Sequence, residues 1–531
     1  MACGVAASGA VFAEAEVLNI DICTKVSSKI GTGICFLDHM IDQFTSHGMI
    51  GVTLRCGLVD VGEGDAPGHI SGSPSKKRKT FAPLSDYATG LAGRPHDRDI
   101  FIASGTAIGL ALRRVVDEAV TRARAGASEA GGEVEAADCK SAALQSRAVF
   151  CSPLDESFSE ASVDLQPPQG KRGTCITSLE PYGNFAGGTS GRQWIGRYRA
   201  ELTPLFWSSL ATALQCELSL RKVRGGNAHH QLESAFKSFA RAFRAALDRI
   251  ADGGCHGCAE PSAGPMPPAA LPVELRRAER KRATKETTIE IRVNLDAPWS
   301  LADKPHGFMS AWTGKVMTAT NLTASVHSSS RISTGIQVLD KVLTEFAKAA
   351  GIEVIVHCEG DRHIDDHHTA EDVAITLGQC FHEAFGDKAG CARMGCAEGA
   401  HGGARVRAVL DLSNRPHFES DLPFDEEFVG AAEAGLSDEV GSSGAATPSP
   451  WDTLCGGVLS CEMLYHVLNS LTLEMRSTCH LELIEDRSSV GHTLDLALAA
   501  ATAYGAALSR AIRIDPRRGG SVASSKGTLS K

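Results

Sequence analysis

Two short patterns in this chain have the residue types and spacing to hold metal ions. His229-His230-Gln231-Leu232-Glu233 and His367-His368-Thr369-Ala370-Glu371 both read His-His-x-x-Glu, and each opens a run of helical spacing. On a helix, residues i and i+4 share a face. His229 with Glu233, and His367 with Glu371, can therefore each grip one ion. The second histidine of each pair points about 100° away. It is badly placed for that ion but could reach a second one held by the other motif. Two such motifs face to face would make a dinuclear site, and mixed imidazole and carboxylate donors suit divalent Mn, Fe, Zn or Co. One such motif alone reads as a surface histidine pair. Two copies, each after a polar turn (Gly225-Gly226-Asn227 and Asp365-Asp366), favour metal.

The elements that must position these residues come from a long, ordinary globular chain. Its 531 residues are too many for one core, and 43% hydrophobic with 22% charged residues is a globular composition. The formal charge of -10 argues against a nucleic-acid binder, which would carry a basic domain or stripe. No run of 18 apolar residues occurs, and the N-terminal stretch lacks the basic region and apolar core of a secretory signal. Seventeen scattered cysteines read as reduced thiols of a cytoplasmic protein. The lone Cys255–Cys258 pair is weak as a zinc or redox signal. The basic run Ser75 to Lys79 reads as part of a solvated loop.

Residues 252–275 are mostly Gly, Pro and Ala and read as a linker. The two sides match each other. Ile30 to His39 faces Ile332 to Lys341, and Arg98 to Phe101 with Thr106 to Leu110 faces Asp365 to His368 with Val373 to Leu377. The chain is thus a tandem duplication: a first copy over 14–250, a linker over 251–281 and a second copy over 282–531. Insertions fall at 62–96, 124–146, 297–325 and 430–450. Thr287 to Val293 alternates like a half-buried strand, and Glu233 to Leu247 carries Phe236, Phe239, Ala240 and Phe243 on one helical face.

Further motifs make the likeness specific. Thr32-Gly33-Ile34, Phe36 to Met40, Asp42-Gln43 and Ser46-His47-Gly48 form one set. Asp365 to Asp372, Asn227 to Glu233 with Phe236 to Arg241, Asp411 to Pro416, and Ser524-Ser525-Lys526-Gly527 complete it. Together they resemble the imidazoleglycerol-phosphate dehydratase family, over most of both copies outside the insertions. The resemblance implies an α+β fold in which each copy is itself an internally duplicated unit, with helices on mixed four-stranded sheets. That fold is shared with small-molecule kinases and a ribosomal protein, but no Gly-rich phosphate loop supports kinase activity.

The departures from the family pattern divide between the copies. Ile100, Phe101 and Ser104 stand where the second copy has His367, His368 and Glu371. Val490, Gly491 and Leu494 stand where the first has His229, His230 and Glu233. Lys341 faces His39, Ser219 faces His480, and Pro168 faces Arg415. Random decay would not partition the set this way. Complementary loss would, if the site forms between units, as it does between family subunits. The first copy then supplies His39, His229, His230 and Glu233, and the second His367, His368, Glu371 and His480. Helix geometry groups His229, Glu233 and His368 on one ion and His367, Glu371 and His230 on the other, with His39 and His480 completing one shell each. The resemblance implies Mn²⁺, two ions per complete site; the ligand types alone leave Zn²⁺ and Fe²⁺ open.

By the same resemblance, Arg393, Arg415, Ser524 and Lys526 fall at positions that bind substrate phosphate, with Lys237 as a candidate fifth. Glu286 falls at an acid–base position, and Gln43 and His47 at substrate contacts. The implied reaction is dehydration of imidazole glycerol phosphate to imidazole acetol phosphate in histidine biosynthesis. The alternatives are a non-catalytic partner that assembles with a complete dehydratase and a dinuclear metallohydrolase. The family forms closed shells of twenty-four single-copy subunits, so a fused pair would close with about twelve chains. Half the possible sites would then pair the stripped Ile100, Phe101, Val490 and Gly491 in apolar, metal-free contacts.

Overall fold

A computed structural model describes residues 2–9, 11–19, 28–58, 82–83, 97–130, 146–184, 191–251, 276–296, 308–309, 316–317, 331–429, 458–485, 490–524 and 528–529. The Cys255–Cys258 pair, the Ser75 to Lys79 run and Lys526 lie outside them. Two compact units emerge, one of residues 1–151 and 157–264, the other of 152–156 and 265–531. Each has its own apolar core.

The first unit contains the same motif twice. β1 (Ala2–Ser8), β2 (Val11–Asn19), β3 (Lys29–Gly31), α1 (Cys35–Gly48), β4 (Gly51–Leu58) and α2 (Asp97–Ala130) form the first half. β5 (Arg147–Leu154), β6 (Ser157–Asp164), β7 (Cys175–Ser178), α3 (Thr203–Leu214), β8 (Glu217–Arg224) and α4 (Ala228–Ala251) form the second. The strand orders are β1-β2-β4-β3 and β5-β6-β8-β7, antiparallel except for the last, parallel pair. The second unit repeats this. Its halves are β9 (Arg277–Ala283), β10 (Thr287–Asn294), β11 (Ile332–Ser333), α5 (Gln337–Ala350), β12 (Glu353–Gly360) and α6 (His367–Phe385), then β13 (Met394–His401), β14 (Ala404–Asp411), β15 (His417–Ser420), α7 (Cys461–Glu474), β16 (Thr478–Leu483) and α8 (Thr493–Ile512). The chain is thus four turns of one β-β-β-α-β-α motif. The first strand of each copy begins upstream of 14 and 282, because Ala2–Ser8 and Arg277–Ala283 carry little of the apolar alternation that marks the later strands.

The expected elements appear for the expected reasons. On β10, Ile289, Ile291 and Val293 turn inward with Val354, Val356 and Cys358 of β12. On α4, Leu232, Phe236, Phe239, Phe243 and Leu247 make one buried stripe, each phenyl ring contributing roughly 1.5–3 kcal/mol. The halves join through their helices: α1 packs on α4 and α2 on α3 in the first unit, α5 on α8 and α6 on α7 in the second. The α2–α3 approach depends on Gly105 and Gly109, where a Cβ would lie 2.4 Å from the Phe206 carbonyl oxygen and 2.5 Å from that of Leu210. Each unit therefore has two helix-pair faces, and each face can present one cluster of site residues.

Candidate metal centre

In the first unit the α1–α4 face carries the ligands. Asn227 starts α4: its Oδ1 accepts from the backbone N–H groups of His229 (2.9 Å) and His230 (3.4 Å), which sets the histidines on the first turn. His229 Nε2 then lies 3.1 Å from Glu233 Oε2, one helical turn on. His39, from α1, brings its Nε2 to 3.7 Å from the same oxygen. These three side chains offer donor atoms within 4.8 Å of one another. His230 projects elsewhere, its ring 6.1 Å from that of His229 and turned by 76°, as the 100° step requires. Lys237, one turn beyond Glu233, places its Nζ 2.7 Å from Glu233 Oε1. Burial alone would raise the Glu233 carboxyl, but the Lys237 charge and the histidine hydrogen bonds outweigh it and hold the group well below the carboxylate range. Gln43 and His47 are buried on the same helix as His39, and Gln43 Nε2 lies 3.5 Å from His39 Nε2.

In the second unit the α6–α7 face does the same work with different parts. Asp365 Oδ1 accepts from the His367 N–H at the start of α6 (3.0 Å). His367 Nε2 lies 3.7 Å from Glu371 Oε2. The third member is His466 of α7, whose Nε2 is 3.0 Å from Glu371 Oε1; these three again offer donors within 4.8 Å. The sequence reading missed His466. Arg476 and Gln215 are the left-handed residues that follow α7 and α3. Counting ten back from each gives His466 in the second copy and Leu205 in the first. This is one more divided position, and its histidine sits in a turn of helix with no motif around it. His480 lies instead on β16, buried, with Nε2 donating 2.7 Å to the Asp155 carbonyl within this unit. His368 points away from His367, its Nδ1 3.0 Å from Asp361 Oδ2 and its Nε2 3.9 Å from Glu286 Oε1. The Asp361 hydrogen bond, with Glu286 adding to it, pushes this imidazole above its ordinary value.

The other two faces are the stripped ones. On α2, Ile100, Phe101 and Ser104 are buried in the core of their own unit, with Phe101 against the Tyr198 ring at 5.0 Å. They do not wait on the surface for the second copy's stripped residues, as the sequence suggested. Across α5–α8 the change goes beyond side chains. α8 begins only at Thr493, so positions 490 and 491 lie outside any helix and the ligand-bearing turn itself is gone. Lys341 on α5 is exposed.

The remaining cations sit in the second unit. Arg393 is buried and forks onto Asp411 (Nε–Oδ1 2.6 Å, Nη2–Oδ2 2.7 Å), while its Nη1 donates to the Ala523 carbonyl next to Ser524. Arg415 Nε pairs with Asp155 at 2.6 Å within the same unit. No helix among the described residues is long and apolar enough to cross a membrane.

The family model for imidazoleglycerol-phosphate dehydratase matches residues 103–243 and 334–448. The imidazoleglycerol-phosphate dehydratase of Pyricularia oryzae is 35% identical over 258 residues, 48% of this chain and 98% of that protein. The chloroplastic enzyme of that name from Pisum sativum is 32% identical over 258 residues, 49% of this chain and 70% of its own. A crystal structure of the Staphylococcus aureus enzyme aligns over 45% of this chain and 99% of its own, at 20% identity and a TM-score of 0.30.

Proposed function

From the premise that this chain belongs to the imidazoleglycerol-phosphate dehydratase family, we propose that it dehydrates imidazole glycerol phosphate at a dinuclear site assembled from one face of each copy. One observation carries the reading: the two clusters of mutually close donors, His39/His229/Glu233 and His367/Glu371/His466, occupy non-equivalent helix pairs of the repeat, α1–α4 in the first unit and α6–α7 in the second. Each is three groups short of a six-coordinate ion or one short of a tetrahedral one, and each keeps an outward-turned histidine, His230 or His368, to lend to the other. The donors fit a divalent first-row cation, since imidazoles and an ionised carboxylate are present and thiolates are not. A bound Mn²⁺ pair would supply electrophilic stabilisation of negative charge developing on the imidazole ring.

The chain's own residues do the rest. Glu286 is exposed beside His368; it accepts the carbon-bound proton and returns it to the neighbouring hydroxyl, whose C–O bond breaks to release water, and the enol that remains tautomerises to the ketone. The nearness of Glu286 to His368, the histidine proposed to reach the other ion, supports this role. Arg415, Ser524 and Lys526 hold the phosphate. Arg393 acts on the same anion by anchoring the carbonyl before Ser524, and Lys237 divides its charge between Glu233 and the phosphate. Gln43 and His47 border the ring from α1. His480 is retained as a contact of the site through β16. The shell closes with about twelve chains, and each chain contributes one complete site.

The test is turnover of imidazole glycerol phosphate by the purified particle with Mn²⁺, together with metal analysis. Imidazole acetol phosphate formed with roughly two ions per chain supports the shared site. Roughly four ions per chain would mean that each copy keeps a full site. A metal-loaded particle without turnover would favour the non-catalytic partner instead.

A further inference from the structure

The segment that contains the parallel strand, the following helix and the connection between them has opposite charge in the two copies. Between Pro168 and Gln215 the chain has five Lys or Arg (Lys171, Arg172, Arg192, Arg197 and Arg199) against Glu180 and Glu201. Between the matching Arg415 and Arg476 it has eleven Asp or Glu and no Lys or Arg. Net charge is a poor argument for fold but a good one for association.

These connections border the half-sites. In the first unit a cleft of ≈ 630 Å³ is lined by Asn184, Arg192, Trp194, Asn227 and Ala228, and so ends at the residue before His229. Its outer wall is a small hairpin, Trp194–Ile195 against Tyr198–Arg199. The Trp194 ring is 49% exposed, with the Arg199 guanidinium 5.5 Å from its centroid; Arg192 and Arg197 are exposed on either side. In the second unit a cleft of ≈ 950 Å³ is lined by Asp365, Asp366, Asp425, Glu426, Glu427 and Glu462. It too reaches the ligands: Asp366 precedes His367, and Tyr465, also in its wall, precedes His466. Tyr465 and Ile364 are exposed there, 44% and 58%.

We infer that the arginine hairpin of one chain's first copy docks in the acidic cleft of a second chain's second copy, and that this contact makes unlike copies pair at every site. The inference rests on the shared-site reading. If the two ligand clusters hold one pair of ions, the ends of α4 and α6 must come within side-chain reach. The clefts, each one residue from its ligands, must then abut. In that arrangement Arg192 and Arg197 meet carboxylates, and Trp194 meets Tyr465 and Ile364. Two second copies face to face would instead oppose six carboxylates to six, and two first copies would oppose arginines. Like-charge juxtaposition costs several kcal/mol, enough to exclude a partner. A tandem chain needs such a device because its two copies share one fold and would otherwise pair indiscriminately.

The experiment uses the full chain and three charge variants: Arg192→Glu with Arg197→Glu, Glu426→Lys with Glu427→Lys, and all four together. Particle mass is read by light scattering against protein concentration, with bound Mn²⁺ per chain and circular dichroism on each sample. Each double reversal should raise the assembly midpoint at least about tenfold and lower bound metal, and the quadruple variant should recover both. A quadruple variant no better than either double overturns the inference. So does a double reversal that assembles like the parent. Loss of metal from the Glu426→Lys/Glu427→Lys protein with particle mass unchanged would make the cleft a cation site, which also overturns docking. If a reversal proves misfolded, the parent alone decides. Raising salt from roughly 0.1 to 0.5 M, which shortens screening to a few ångströms, should weaken its assembly at least about tenfold, and an unchanged midpoint overturns the inference. These outcomes are separable from the function itself. A parent that turns over with two ions per chain while the reversals assemble normally loses only the docking, whereas a parent without turnover loses the dehydratase reading whatever the reversals do.

Discussion

The two half-sites differ in how they are held. Glu233 is nearly buried, flanked by two histidines and neutralised by Lys237 one turn on. Glu371 is more open, its partners are His367 and His466, and the residue one turn beyond it is Ile375. The Glu233 carboxylate is held ionised and fixed by its neighbours, while Glu371 meets two imidazoles in a more open setting. The duplicated fold thus carries a similar group of two histidines and a glutamate on two faces while supporting it with different charge.

The comparison breaks most visibly at the divided positions. His466→Ala should cut turnover by more than about a hundredfold, beyond the usual loss from disturbing a metal's outer partners, whereas Leu205→Ala and Lys341→Ala should stay within about twofold of the parent. Steady-state assays of the three side by side decide it, and equal losses from His466→Ala and Leu205→Ala would dissolve the asymmetry. Phe101→Ala should destabilise the first unit by about 3–5 kcal/mol, the range for a buried ring, while leaving bound metal unchanged; thermal unfolding with metal analysis measures both.

A third test uses a device that the two units share. Thr32 N–H donates to Asp38 and Thr334 N–H to Asp340, each at 2.8 Å, ahead of α1 and α5. Burial raises both carboxyls, and Asp340 reaches about 6. A folded-state value above the unfolded 3.8 means that the native protein holds the proton more tightly. The associated stability is therefore complete below about pH 4 and is lost as pH rises through 6, by about 2–3 kcal/mol. Asp340→Asn cannot ionise, so its stability relative to the parent should improve by that amount between pH 4 and 7 in denaturant unfolding. A flat difference would contradict the buried-proton account. The smallest expected effect is on metal retention. Lys237→Met should weaken it about 10- to 100-fold, and Ile375→Met should leave it alone, as a competition titration with a chelator would show.

The paired motifs were legible because His-His-x-x-Glu declares its own geometry: a helix start, a one-turn spacing and an outward second histidine all follow from 3.6 residues per turn. Asn227 and Asp365, noted only as polar turns, proved to be the acceptors that start those helices. His39 was legible as a candidate ligand because its surrounding motif was intact, but its grouping with His229 and Glu233 came only from the packing of α1 on α4. His466 was not legible at all, because what brings it to His367 and Glu371 is the packing of α7 on α6, and a contact between helices about ninety residues apart leaves no local trace. The twofold repeat was legible in matching side chains; the further doubling within each copy followed from the family resemblance alone, since the half-units share strand order and helix pairing rather than side chains. The shift of α8 to Thr493 was hidden for a related reason: aligned positions assume aligned backbone, and there the backbone departs.

The position at Phe101 is filled by the core of its own unit. Placing a histidine there would bury an imidazole against the Tyr198 ring, at about 1–3 kcal/mol if its ring nitrogens find no partner. On the opposite face no single exchange suffices, because a whole turn ahead of Thr493 would have to be rebuilt before any side chain mattered. The two faces would therefore be restored at different cost: a repacked side chain on one, a rebuilt turn of helix on the other.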